Sequence, residues 1–116
     1  MRYLTTTLFS VFLILAIPVH AGSGHDHGHG HSHAPVTQEE AEKIATSSVA
    51  ELVKRNKVDS SWGSVAVHKS EKKEFGGQME WVVTFKNKNL SDPEKETLYI
   101  FLSLEGQYLA ANYTGN

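Results

Sequence analysis

The chain has 116 residues, 40% of them hydrophobic, with 11 Lys and Arg against 13 Asp and Glu and a formal charge of −2 with histidine neutral. Cations this few and this scattered exclude a nucleic-acid footprint, which needs a basic face or stripe. The lack of any cysteine excludes disulfides, thiolate metal sites and an acylated N-terminal cysteine.

Residues 1–21 read as a secretory signal peptide. Arg2 supplies a short positive region, the stretch from Leu8 to Val19 is almost wholly apolar, and Val19-His20-Ala21 ends in the small residue expected before a cleavage site. The apolar stretch is short of the roughly 20 residues that a membrane-spanning helix needs. The expected mature protein therefore starts at Gly22, has lost Arg2, carries a net charge of −3 and has no membrane span. Cleavage one residue later would expose Ser23-Gly24-His25, whose amine, two amides and imidazole suit square-planar Cu(II) or Ni(II).

Residues 22–36 form the second predicted region, a disordered His-rich segment. In it His25, His27, His29, His31 and His33 fall on alternate positions, separated only by Asp26, Gly28, Gly30 and Ser32. Neutral imidazole suits Zn, Cu, Ni and other late divalent ions. On an extended strand, side chains at i and i+2 stand about 6.5 Å apart along the chain, whereas a zinc-bound nitrogen lies about 2.0–2.1 Å from the ion. The segment must bend to chelate, and Gly28 and Gly30 remove the steric barrier to bending. Asp26 adds a carboxylate, either as an oxygen ligand or as an acceptor for an imidazole N–H. Five imidazoles fill one four-coordinate site with one to spare, or two sites incompletely.

After Pro35 the composition changes to mixed apolar and charged residues, which places a small domain over residues 37–116. Thr37-Gln38-Glu39-Glu40 has capping-box spacing and starts a helix. Ala41, Ile44, Ala45, Ser48, Val49, Leu52 and Val53 give it one apolar stripe, with Glu42, Lys43, Glu51 and Lys54 facing away and an end near Asn56. The period then changes to two. Val65 and Val67 mark one strand, Met79, Trp81, Val83 and Phe85 a second, Leu98, Ile100, Leu102 and Leu104 a third, and Tyr108 to Tyr113 a short fourth. Glu71 to Gly77, with its Gly76-Gly77 pair, reads as a hairpin connection, and Asn87 to Lys95 as a longer polar loop. The predicted fold class is α+β, one N-terminal helix packed on a three- to four-stranded antiparallel sheet with one face of each strand in the core.

The leading helix, the strand Trp81-Val82-Val83-Thr84-Phe85, the strand Leu98-Tyr99-Ile100-Phe101-Leu102 and the closing Leu104-Glu105-Gly106-Gln107-Tyr108-Leu109 resemble small PepSY-like exported bacterial proteins, including an uncharacterised group with a His-rich segment before the domain. The resemblance covers residues 37–116, room for a single unit. It implies an extracytoplasmic binding or regulatory module, in some members inhibitory toward proteases, and it supplies no catalytic residue.

No other chemistry stands out. His68 reads as a solvent-facing strand residue or an extra ligand completed by the His-rich segment, and Trp62, Trp81, Phe85, Tyr99 and Phe101 as core. No serine sits in a nucleophile elbow, and no carboxylate pair shares an evident cleft, so no enzyme is expected. The expected function is that of a periplasmic divalent transition-metal binding protein. It would take Zn(II) first, with Cu(II), Ni(II) or Co(II) admitted by the same ligands, and buffer metal or deliver it to a transporter. The alternative is a PepSY-like inhibitory or adaptor module for another exported protein, with the histidines as a metal or pH sensor.

Overall fold

Helix α1 (Gln38–Lys54) begins where its caps dictate. The Thr37 hydroxyl accepts from the Glu40 N–H at 3.1 Å, and the Glu40 carboxylate accepts from the Thr37 N–H at 2.9 Å, which satisfies two of the end's otherwise unpaired donors. The helix stops on a Schellman motif: Asn56 takes φ +57°, its N–H donates to Val53 O at 2.9 Å, and the Lys57 N–H donates to Leu52 O at 2.8 Å. Its apolar stripe is the predicted one, with Ala41, Ala45, Val49 and Leu52 buried and Ile44 and Val53 packed beside them. Glu42 departs from expectation. It is half-buried and accepts a hydrogen bond from the Ser70 hydroxyl, which ties the helix to the first strand.

This structure, a computed structural model, describes residues 34–116. The predicted signal peptide and the residues His25, Asp26, His27, His29, His31 and His33 lie outside that range.

After α1, a 3₁₀ turn at Ser60–Ser64 is capped by the Asp59 carboxylate, which accepts from the Ser61 N–H at 2.9 Å. It carries Trp62, 0% exposed, into the core. Four antiparallel strands follow, β1 (Val67–Phe75), β2 (Gln78–Lys86), β3 (Thr97–Ser103) and β4 (Tyr108–Asn112), in the order β1-β2-β3-β4. Each strand pairs with its neighbour in sequence, so the sheet is a simple meander. One face, through Trp81, Val83, Phe85, Leu98, Ile100, Leu102 and Ala111, joins the α1 side chains and Trp62 in the core. The architecture is therefore α+β, one helix packed on a four-stranded antiparallel sheet.

Two local expectations fail, each for a physical reason. The hairpin connection is only Gly76-Gly77, at φ +59° and +86°, because two successive left-handed residues match the twist of the flanking strands. Glu71 to Phe75 consequently belong to β1 and pair in register with Val82 to Gln78. Charged residues are tolerated there because β1 is an edge strand. The strands also do not bury one face each. Val82 and Thr84 on β2, both 2% exposed, and Phe101 on β3, 4% exposed, are buried on the face opposite α1. The rings of Phe75 and Phe101 meet edge to face there at 5.6 Å. Met79, expected in the core, is 42% exposed. Among the described residues no helix is long and apolar enough to cross a membrane.

Candidate functional site

The antiparallel register divides the sheet into two ends. Glu80 aligns with Lys73 on one side and Ser103 on the other, so the β1–β2 and β3–β4 turns lie together at the turn end. Phe85 aligns with Val67 and Leu98 at the loop end, where the β2–β3 connection and the 3₁₀ turn meet.

Val36, just ahead of α1, is held at the turn end. The Val36 N–H donates to Leu104 O at 2.8 Å, which fixes the residue just before the helix cap to the β3–β4 turn. Gly106 makes that approach feasible. It has φ +92°, and a Cβ built there would stand 2.8 Å from Ile44 Cδ1 and 3.1 Å from Val36 Cγ1. Val36 follows His33, the last predicted ligand, by three positions in the chain.

Beside the Val36–Leu104 contact lies a cleft of about 550 Å³ lined by Met79, Glu80, Leu104, Glu105 and Leu109 among others. It adjoins a groove of about 300 Å³ on the second sheet face, where Phe75, Phe101 and Ala110 join Glu80 and Leu109. Met79 and Leu109, at 42% and 44%, are the large hydrophobic side chains left exposed among the described residues. Burial pushes the Glu80 carboxyl above its ordinary range and the Tyr108 phenol, at the start of β4, up to about 12. No lysine or arginine lines either part. Sequence periodicity misses this surface because two turns and the strand ends beside them assemble it; Leu109 is an apolar residue at a β4 bulge opposite Phe101 and Leu102.

Hydrogen bonds tie the loop end together beside a cleft of about 570 Å³ lined by Lys57, Asp59, Leu90, Lys95 and Tyr113 among others. Asn87, 2% exposed, donates through Nδ2 to the Ser61 hydroxyl at 2.8 Å, and its Oδ1 accepts from the Asn89 N–H at 3.0 Å. Ser61 donates in turn to Asp59, and these bonds hold the Asp59 carboxyl below its usual range. Tyr113 is pushed up by burial and by the neighbouring Asp59 charge. His68 is exposed, one residue into β1 at a register shift, and so sits at the loop end of the sheet.

Of the aromatic residues expected in the core, Trp62, Trp81 and Phe85 are in it, while Tyr99 and Phe101 occupy the second face. Among the described residues no three His, Asp or Glu side chains are grouped to hold a metal ion.

No curated protein and no solved structure matches the chain. A model of a family of unknown function, DUF6488, matches residues 1–116, the full length of the chain, which therefore belongs to that family.

Proposed function

We propose that the protein is exported through its signal peptide to the periplasm and there binds a divalent transition metal through His25, His27, His29, His31 and His33, with Asp26 as an auxiliary oxygen ligand or imidazole acceptor. The observation that carries this reading is the alternation of five imidazoles with residues no larger than Asp. Zn(II) is the expected ion. Cu(II) competes wherever it is supplied, because nitrogen sites rank copper above zinc and supply decides the outcome. Ligands on a segment that must bend lose conformational entropy when they bind, which favours modest affinity and quick release. Exchange with a transporter or another exported protein fits that behaviour better than storage.

The test is calorimetric titration of the mature chain with Zn(II), Cu(II) and Ni(II) near neutral pH, repeated with all five histidines changed to alanine. Binding that disappears in the variant supports the reading; binding that survives it, or no binding in either protein, refutes it. Affinity should also fall as pH drops through the imidazole range near about 6.5, since protons compete for the ligand nitrogens.

A second reading is favoured by the amphipathic turn end. The helix-on-meander domain is PepSY-like and works as an inhibitory or adaptor module for another exported protein, with the histidine run sensing metal or pH. Deleting residues 25–33 separates the two: partner binding that persists without the run supports the adaptor role.

A further inference from the structure

We propose that the turn end of the sheet is a docking site for an exported protein that presents an apolar side chain flanked by lysine or arginine. Three observations at one place carry this.

The first is apolar exposure. Met79 and Leu109 remain 42% and 44% exposed although both lie next to a well-filled core. Each lines the cleft, and Leu109 continues into the groove floored by Phe101. At about 300 and 550 Å³ the two parts fall within or near the range of natural binding clefts, roughly 300–1,000 Å³.

The second is charge. The lining contains the carboxylates of Glu80 and Glu105 and no cation, in a chain with 11 Lys and Arg. Lys73 opposes Glu80 across the β1–β2 ladder but lines neither part. An acidic rim around an apolar floor selects a basic rim around an apolar knob, and like charges would repel an acidic partner.

The third is position. The Val36–Leu104 hydrogen bond fixes Val36, three positions after His33 in the chain, beside a residue that lines the cleft. A partner docked there and a metal held by the run would belong to one complex, so transfer between them would be effectively intramolecular. This purpose rests on the metal-carrier reading; the docking itself rests only on domain residues.

The test uses the mature chain with the five run histidines changed to alanine, which separates docking from metal binding. Its backbone amides are followed by NMR while two synthetic peptides are added, one with alternating Leu and Lys and one with Glu in place of Lys. The expected result is that only the basic peptide shifts the amides of residues 77–80 and 103–110. Met79→Ser with Leu109→Ser should then weaken it by about tenfold, and Glu80→Gln with Glu105→Gln by about threefold. Unchanged circular dichroism and melting confirm that these surface variants are folded. The proposal is overturned if neither peptide binds, if the acidic peptide binds equally well, or if the shifts fall elsewhere. Two other occupants would overturn it too. The same amides shifting with protein concentration alone would assign the surface to a second copy. Their shifting on addition of zinc alone to the unsubstituted chain would assign it to the protein's own histidine run.

Discussion

The two ends of the sheet are built on opposite principles. At the loop end, Asp59, Ser61 and Asn87 join the 3₁₀ turn to the β2–β3 loop through consecutive hydrogen bonds, and Trp62 is fully buried beside them. At the turn end, the backbone is held by the Val36–Leu104 bond, but large apolar side chains are left in solvent beside carboxylates. Buried groups at the hydrogen-bonded loop end contribute mainly to stability, although the Trp62 ring N–H there is buried without a partner. Groups left exposed contribute little to it and are available for recognition.

The largest effect should come from the loop end. Trp62→Ala empties a fully buried site and is expected to cost about 3–5 kcal/mol. Asn87→Ala leaves the Ser61 hydroxyl and the Asn89 N–H without their partner and should cost about 1–3 kcal/mol. Leu109→Ser, at the other end, should stay within about 0.5 kcal/mol of the parent. Urea unfolding of the three variants checks the contrast, and a Leu109→Ser cost comparable to that of Asn87→Ala would break it.

The turn end has one position where the β3–β4 turn packs against the segment that leads into α1. Gly106→Ala places a Cβ against Ile44 and Val36 at a backbone angle of φ +92°, and about 1–2 kcal/mol of strain is expected. The Val36 amide should exchange faster with solvent as its bond to Leu104 loosens. Zinc affinity should not change, because the ligands belong to the run and not to the turn. A fall in affinity would mean that the domain helps to shape the metal site.

Much of this fold is legible in the sequence because its signals are local. The Thr37/Glu40 box, the spacing from Ala41 to Leu52 and the alternation in β3 each depend on residues a few positions apart. The misses are of two kinds. The 3₁₀ turn at Ser60–Ser64 is too short to have a period, and the charged half of β1 reads as loop because an edge strand needs no apolar face. The second buried face was present in Trp81-Val82-Val83-Thr84-Phe85, whose unbroken run is the mark of a strand covered on both sides. Alternation alone assigns Val82 to solvent. The candidate metal ligands were legible as composition, whereas the cleft at the turn end was not. It exists only because the β1–β2 turn, the β3–β4 turn and Leu109 come together in three dimensions.

The smallest expected effect separates the two ends by pH. The Tyr108 phenol titrates at about 12 in the folded protein and at about 10 once unfolded. Between those values the unfolded chain has lost the proton and the native protein keeps it, so stability falls as pH rises through this window. Below about pH 10 both states are protonated, and the group contributes no slope. Because the phenol is only partly buried and solvent screens it, the loss should be on the order of 1 kcal/mol, less than the full shift would give. Tyr113 is displaced in the same direction at the loop end, where the Asp59 charge adds to burial. Melting curves from pH 9 to 12 should therefore flatten in Tyr108→Phe whether or not Asp59 is present. The Tyr113 share should shrink in Asp59→Asn, which removes the charge that opposes a phenolate. Equal flattening of both tyrosine contributions by Asp59→Asn would mean that the two ends are electrostatically one, and the contrast between them would be confined to packing.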